Sequence, residues 1–225
     1  LFRLGNVKKN IGYNREGRGF LLDFSLEINY HKHYINRYAF LFNEYIGNKY
    51  VYLPELSLRH TGQKTFQFDN SHKTIALYLG GENKEFRKYP DEYAVQLLRL
   101  LNRQGYNLLL IGDENDNIKH TQYAEEARID HLINLTARTT IEGFINTIAN
   151  VDLIITIDSS ALHIAAAVKT PFIALMGLST SPTSTILPKV PLGRILKIEN
   201  NLIREEDYIR NITPDLILKT ISELI

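Results

Sequence analysis

The sequence contains no cysteine, which excludes disulfide bonds, zinc–thiolate sites and catalysis by a thiol. Its charges nearly cancel, with 26 Lys and Arg against 25 Asp and Glu, so no surplus points to a nucleic acid or a membrane surface. No apolar run reaches the roughly 18 residues of a transmembrane helix, and no secretory signal peptide is visible. The composition therefore favours an ordinary globular protein without a nucleic-acid partner.

Methionine is almost absent, because Met176 is the single one and the chain opens with Leu1. The first residues show no recognisable start of a domain. We therefore expect a fragment of a longer gene product, with removal of residues by processing or design as the alternative. A chain of 225 residues suffices for one large domain, or for one complete domain and a piece of another.

The character of the sequence changes near residue 72. Residues 1–71 are rich in Tyr, Asn and Phe, include a helical pattern over 31–45, and end in a linker-like stretch. From 72 to 198, short apolar runs alternate with helical patterns. The remaining residues, 199–225, form an extension with a final helix that opens at Thr213. We therefore predict three segments with boundaries at 71/72 and 198/199.

The segment 72–198 is predicted to be a doubly wound α/β domain. Its apolar runs do not alternate with polar residues, as expected when helices cover both faces of a parallel sheet. The predicted strands cover 74–79, 107–111, 132–135, 152–157, 171–176 and the surroundings of Leu196, and the predicted helices cover 90–101, 117–128, 140–150 and 159–168.

Ligands of open α/β sheets bind beyond the carboxyl ends of the strands. Four such ends stand out, at 80–81, 112–116, 158–160 and 177–184, and several are Gly- or Ser-rich loops that lead into helices. Backbone N–H groups at the positive end of a helix are a natural seat for phosphate. We therefore expect a phosphorylated ligand at this edge.

The strongest candidate is the strand-to-helix turn at Asp158, Ser159 and Ser160, with His163 one turn into the helix. A carboxylate, two hydroxyls and an imidazole would then lie close together at the carboxyl edge of the sheet. An equally weighted alternative is that Ser159 merely caps the helix and that His163 is packed or solvated.

A second candidate is the loop in which Lys84, Arg87 and Lys88 follow a Gly pair and precede a helix. Cations there suit a diphosphate, although a solvated charged loop is the commoner interpretation. The Gly pair is a weak signal, because the sequence lacks the full Gly-x-Gly-x-x-Gly pattern.

The third candidate is Asp116, four residues after Gly112. An acidic residue after a Rossmann-type strand can hold ribose hydroxyls. The favoured alternative is that this Asp bonds its own turn or caps the next helix. The histidines show no metal-ligand spacing, so no metal site is expected.

These segments, in this order, resemble glycosyltransferase family 9, the ADP-heptose:lipopolysaccharide heptosyltransferases. Residues 158–167 match the family's Asp-[Thr/Ser]-Gly-x-x-His-x-x-Ala-Ala motif, and 87–90 loosely match its Lys-x-Trp-Pro motif. Gly112 with Asp116 matches its Gly-x-x-x-acid turn, 140–143 resembles its Ser-Leu-Glu-Glu helix start, and 175–177 resembles its Leu-Phe-Gly turn. Two departures are Ser160 in place of the motif glycine and Arg87 in place of the usual lysine.

The resemblance implies a GT-B fold, in which two Rossmann-like domains face a cleft. The second domain, complete here, would hold the nucleotide-sugar, and residues 1–71 would be the remnant of a truncated acceptor-side domain. The implied reaction transfers a sugar, with heptose expected, from an ADP-sugar to a lipopolysaccharide core acceptor with inversion. It uses no metal and no cofactor. The implied substrate-binding residues are Arg87, Lys88, Asp116, Thr139, Asp158, Ser159, Ser160 and His163.

The family's presumed base would lie upstream of Leu1, so the catalytic residue is unknown and this chain alone is not expected to turn over. The alternatives are a catalytically inactive nucleotide-binding remnant and a transferase for a different nucleotide-sugar. An epimerase or dehydrogenase is disfavoured by the missing Gly-x-Gly-x-x-Gly pattern. The resemblance also implies a cytoplasmic location, and it leaves open peripheral association with the inner face of the inner membrane through the acceptor.

Overall fold

The computed structural model describes residues 7–48, 57–80, 88–177, 187–188, 190–198 and 204–225. The chain divides into two compact units, Leu1–Glu55 with Thr180–Lys189 and Leu56–Ser179 with Val190–Ile225. The second unit takes in residues 57–71 and the C-terminal segment, which the sequence assigned to a linker and an extension. The three-segment division therefore stays a prediction.

The first unit contains two parallel strands, β1 (Ile11–Asn14) and β2 (Phe24–Glu27), joined through a 3-10 turn at Arg18–Leu21. Helix α1 (Tyr34–Ile46) follows and ends before Gly47, whose φ of 69° is the left-handed conformation of a helix C-cap. The predicted helix over 31–45 is confirmed with a later start, whereas β2 was not predicted.

The second unit is a six-stranded parallel sheet covered by helices. Its strands, in the spatial order β5-β4-β3-β6-β7-β8, are β3 (Thr74–Tyr78), β4 (Asn107–Leu110), β5 (Leu132–Asn134), β6 (Leu153–Ile157), β7 (Phe172–Leu175) and β8 (Gly193–Leu196). Its helices are α2 (Asp91–Arg103), α3 (Asn117–Ala127), α4 (Ile141–Ala149), α5 (Ser160–Val168) and α6 (Pro214–Ile221). The predicted doubly wound α/β fold is confirmed.

The apolar runs form strands because they are buried on both faces of this sheet. Ile75, Leu77, Leu109 and Ile154 are fully buried, together with the remaining aliphatic residues of the central strands. Burying a side chain of this size contributes about 1.5–3 kcal/mol to stability.

Local capping fixes where two of the helices begin. The Thr140 hydroxyl accepts a 3.1 Å hydrogen bond from the Gly143 N–H at the start of α4. The Thr213 hydroxyl accepts one of 3.3 Å from Leu216 at the start of α6, where Pro214 occupies the first turn. Thr213 is thus the N-cap that the sequence predicted, and such a cap contributes roughly 1 kcal/mol.

The order of the strands in the sheet determines where a crevice for a ligand forms. The chain proceeds outward from β3 through β4 to β5, then returns to lay β6 against the other side of β3. Tyr78 of β3 lies opposite Thr156 of β6, so both strands end at the same level. A reversal of this kind opens a crevice beyond the carboxyl ends of the two central strands. None of the helices in the described ranges is long and apolar enough to cross a membrane.

Candidate nucleotide-sugar site

The carboxyl edge of the sheet collects the loops that the sequence singled out. Gly80 follows β3, Gly112 follows β4, and Asp158 follows β6. Because β3 pairs in parallel with both β4 and β6, these three loops are neighbours at one edge. Residues 81–87, which include the predicted site residue Arg87, and residues 178–184 of the fourth strand-end loop lie outside the described residues.

The turn after β6 is built around the hydroxyl of Ser159. It accepts a 3.2 Å hydrogen bond from the Ala161 N–H and lies 2.9 Å from the hydroxyl of buried Thr156. Ser159 is therefore the N-cap of α5, as the alternative interpretation held. Asp158 and His163 are half-buried, whereas Ser160 is exposed. Ser160 replaces the glycine of the family motif, and its side chain therefore lies at the surface. The contacts of these three residues with a ligand remain predictions.

The first turn of α5 lies at the carboxyl edge because the helix begins three residues after the last residue of β6. Ala161, Ala165 and Ala166 of this helix are buried. The positive end of the α5 dipole therefore lies at the mouth of the crevice, where it favours an anion.

The Asp116 side chain is buried, with 4% of it exposed, instead of lying open at the rim. Its carboxylate accepts a 3.1 Å hydrogen bond from the Asp113 N–H and a second from the Tyr78 hydroxyl. Burial raises the pKa of Asp116, while these two hydrogen bonds and the charge of Lys88 act in the opposite direction. This geometry agrees with the favoured alternative, in which Asp116 forms hydrogen bonds within its own turn. A contact between Asp116 and a ribose stays a prediction.

Two glycines make room for this carboxylate. A Cβ built on Gly80 would lie 1.8 Å from Oδ1 of Asp116, and one built on Gly112 would lie 2.7 Å from its Oδ2. Neither glycine has a positive φ. Their position is thus explained by close packing with Asp116, and no unusual backbone conformation is involved.

Tyr78 is a residue of this edge that the sequence analysis missed. Its hydroxyl reaches Asp116, and its ring meets the ring of Phe144 edge to face at a centroid distance of 6.3 Å. Tyr78 therefore links the turn after β4 to helix α4. The available signal was a tyrosine at the end of an otherwise aliphatic strand, directly before the Gly pair.

Lys88 is half-buried near the start of α2, where its charge acts on the carboxyls of both Asp91 and Asp116. Burial pushes the pKa of Asp91 up, but hydrogen bonds from Lys119 and Tyr123 outweigh it, so this pKa lies below its usual value. The Nζ of Lys119 lies 2.6 Å from Oδ2 of Asp91. Lys88 thus belongs to a mixed-charge cluster beside the crevice.

Thr139 is half-buried in the loop before α4. A Cβ on Gly143 would lie 3.4 Å from the Cβ of Thr139, so the threonine packs over the first turn of that helix. Its expected donor contact stays a prediction. Among the residues that the structure describes, no group of three or more His, Asp and Glu side chains is arranged to hold a metal ion.

Comparison with known proteins identifies the family. The model for glycosyltransferase family 9 (heptosyltransferase) matches residues 1–206. Lipooligosaccharide heptosyltransferase 2 of Haemophilus influenzae is 31% identical over 163 residues, which cover 67% of this chain and 47% of that protein. The chain spans about half the length of the curated relatives that it matches.

Solved structures show the same fold. The E. coli ADP-heptose lipopolysaccharide heptosyltransferase II gives a TM-score of 0.80 at 21% identity, over 99% of this chain and 71% of that one. The E. coli heptosyltransferase WaaC with ADP-2-deoxy-2-fluoro heptose gives 0.63 at 15% identity, over 91% and 60%. The α/β architecture is therefore that of the GT-B heptosyltransferases. With the family match extending over most of its length, the chain belongs to glycosyltransferase family 9.

Proposed function

We propose that the second unit binds an ADP-sugar at its carboxyl edge, and that the protein transfers heptose from ADP-heptose to a lipopolysaccharide core acceptor with inversion. The observation that carries this proposal is the position of the family motif 158–167. It lies at the start of α5, next to the crevice where the strand order reverses. Among the relatives of similar fold, one was solved with an ADP-heptose analogue.

In this proposal the diphosphate lies at the amino end of α5 and is neutralised by Lys88 and Arg87. Asp158, Ser160 and His163 contact the donor from the same turn, and Ser159 holds that turn through its cap. Thr139 contacts the donor from the loop before α4. A helix dipole and two cations together supply the charge that a departing diphosphate requires.

Inversion follows when the acceptor hydroxyl attacks the anomeric carbon from the face opposite the diphosphate. A general base must take the hydroxyl proton as the new bond forms, while the bond to the diphosphate oxygen breaks. We assign the donor side of this reaction to the second unit and assign no base. As part of the same proposal, the protein acts in the cytoplasm and approaches the inner membrane only through its acceptor.

Isothermal titration calorimetry with ADP tests the donor site. Asp158→Ala combined with His163→Ala should weaken ADP by about tenfold or more, as expected when polar contacts to a charged ligand are lost. Asp130→Ala removes an exposed carboxylate from the turn before β5, at the amino edge of the sheet, and should leave the affinity unchanged. Equal affinity in all three proteins would contradict the placement.

A transfer assay with ADP-heptose and a lipopolysaccharide core acceptor tests the reaction itself. Product with the inverted anomeric configuration supports the proposal. ADP binding without transfer would limit the function of this chain to nucleotide-sugar binding. Tighter binding of another nucleoside diphosphate than of ADP would redirect the proposal to a different donor.

A further inference from the structure

We infer that Asp116 is a positioning residue, whose carboxylate sets the spacing of the loops after β3 and β4 and so the geometry of the diphosphate seat. The inference rests on the proposed function, because it concerns the same site. In this inference Asp116 positions the two loops, whereas the sequence analysis considered it as a direct ligand of ribose hydroxyls.

The first argument is the number of elements that converge on one carboxylate. Asp113 donates to it from the turn after β4, and Tyr78 donates to it from the last position of β3. The backbone of Gly80, the second residue beyond β3, packs directly against the Asp116 carboxylate, where a Cβ would not fit. Asp116 therefore joins the ends of two neighbouring strands that lie more than 30 residues apart in sequence.

The second argument is the shape of the space. A methyl group at Gly80 would overlap Oδ1 of Asp116, since the distance would be 1.8 Å. Gly80 has no positive φ that would itself require glycine. The glycine is thus explained by the carboxylate, and the backbone after β3 can reach its observed position only because Asp116 and Gly80 fit together.

The third argument is charge. The charge of Lys88 acts on Asp116, although Asp91 also lies close to that lysine. The carboxylate that braces the two loops therefore also attracts a cation proposed to meet the diphosphate. Donor groups held in place before the ligand arrives bind more tightly than groups that must first be ordered.

Calorimetry with ADP on the folded chain tests the inference. Asp116→Ala and Gly80→Ala should each weaken ADP by about tenfold, the cost of having to order one or two side chains when the ligand binds. Asp116→Asn keeps the shape and can keep both hydrogen bonds but loses the charge that acts on Lys88, so it should weaken ADP by about threefold, less than Asp116→Ala does. The double variant Asp116→Ala with Gly80→Ala should bind ADP at least as tightly as whichever single variant binds it less tightly. The reason is that the methyl group introduced by Gly80→Ala fills the space that Asp116→Ala vacates.

The matched control is Asp152→Ala at the opposite edge of the sheet. Oδ2 of Asp152 accepts a 2.7 Å hydrogen bond from the Thr74 N–H, so it also braces the end of a strand. This variant should lose thermal stability without losing ADP affinity. A purely structural role for Asp116 would give the same result, a lower Tm and an unchanged Kd, and would overturn the inference.

Tyr78→Phe covers the case in which Asp116→Ala fails to fold, because it removes only one donor to the carboxylate. It should weaken ADP by about threefold, less than the full strength of the lost hydrogen bond, because Asp116 keeps its Asp113 donor. The loss should vanish in the Asp116→Ala background, which has no acceptor left, and persist in the Asp116→Asn background, which keeps one. Unchanged affinity in Tyr78→Phe, or a loss that persists in the Asp116→Ala background, would overturn the inference. Absence of ADP binding to the wild type overturns the proposed function as well, whereas wild-type binding with unaffected variants overturns the inference alone.

Discussion

The hydroxyl of Tyr89 donates a 2.8 Å hydrogen bond to the backbone carbonyl of Ile212, and both residues are fully buried. Tyr89 occupies the aromatic position of the motif over 87–90, and burial raises its pKa. It lies in the core with its hydroxyl turned away from solvent. It anchors the segment that carries Lys88 to the backbone just before α6.

Tyr89→Phe should destabilise the second unit by about 1–3 kcal/mol, because it leaves the buried Ile212 carbonyl without its partner. Thermal denaturation followed by circular dichroism measures the change in Tm. Tyr38→Phe removes a hydroxyl from a largely exposed tyrosine and serves as the control. Equal Tm values for both variants would show that the Tyr89 hydrogen bond contributes nothing to stability.

Replacing Arg87 and Lys88 together with Ala should weaken ADP by roughly 10–100-fold and adenosine little, because charge-assisted hydrogen bonds to phosphate are lost. Competition binding with both ligands gives the two ratios. Lys119→Ala removes a neighbouring cation that is already paired with Asp91 and should spare ADP. A comparable loss for ADP and adenosine would mean that Arg87 and Lys88 act through folding.

Gly193→Ala should destabilise the sheet by about 1–3 kcal/mol, the usual cost of overfilling a packed core. A Cβ at this position of β8 would lie 2.1 Å from the ring of buried Phe172, its partner in β7. Gly143→Ala is the matched comparison, since it lies within α4 and its Cβ would meet nothing nearer than 3.4 Å. Because alanine has a better helix propensity than glycine, Gly143→Ala should raise the free energy of unfolding by about 0.5–1 kcal/mol. Urea denaturation measures the free energy of unfolding of both variants, and a loss of stability in both would contradict this account.

Local chemistry made much of this fold predictable. The strands of the second unit follow from apolar runs such as 153–157, and α6 begins where Thr213 and Pro214 indicate. The turn at Asp158 was predicted to be a site because it falls between a buried strand and a helix. Its signal lies within ten consecutive residues, so no tertiary information was needed.

The cluster around Asp116 was not predictable in the same way. Its contact with Gly80 depends on the pairing of β3 with β4, which brings together residues distant in sequence. Strand β2 was missed because Phe24–Glu27 is only four residues long and becomes a strand through its pairing with β1. Such features depend on tertiary contacts that periodicity does not encode.

His120 provides the last prediction, because its imidazole is fully buried on α3. Its Nδ1 lies 2.7 Å from the Thr136 hydroxyl, and its Nε2 has no hydrogen-bond partner among the residues that the structure describes. Burial lowers the pKa of His120 to about 4, while the charge of Asp113 acts in the opposite direction. The folded state therefore resists a proton that the unfolded chain accepts near pH 6.5.

This difference makes stability depend on pH in a defined direction. Above about pH 6.5 the imidazole is neutral in both states, and its effect on folding is constant. As the pH falls from about 6.5 towards 4, the unfolded state binds a proton that the folded state does not, so roughly 3 kcal/mol of stability is lost. His120→Asn removes the titrating group and keeps a polar atom near Thr136, so its stability should fall less over this range. Because the carboxylates titrate in both proteins, the difference between their urea-denaturation curves at pH 7 and pH 4.5 isolates His120. Parallel losses in the two proteins would show that His120 does not cause the decline.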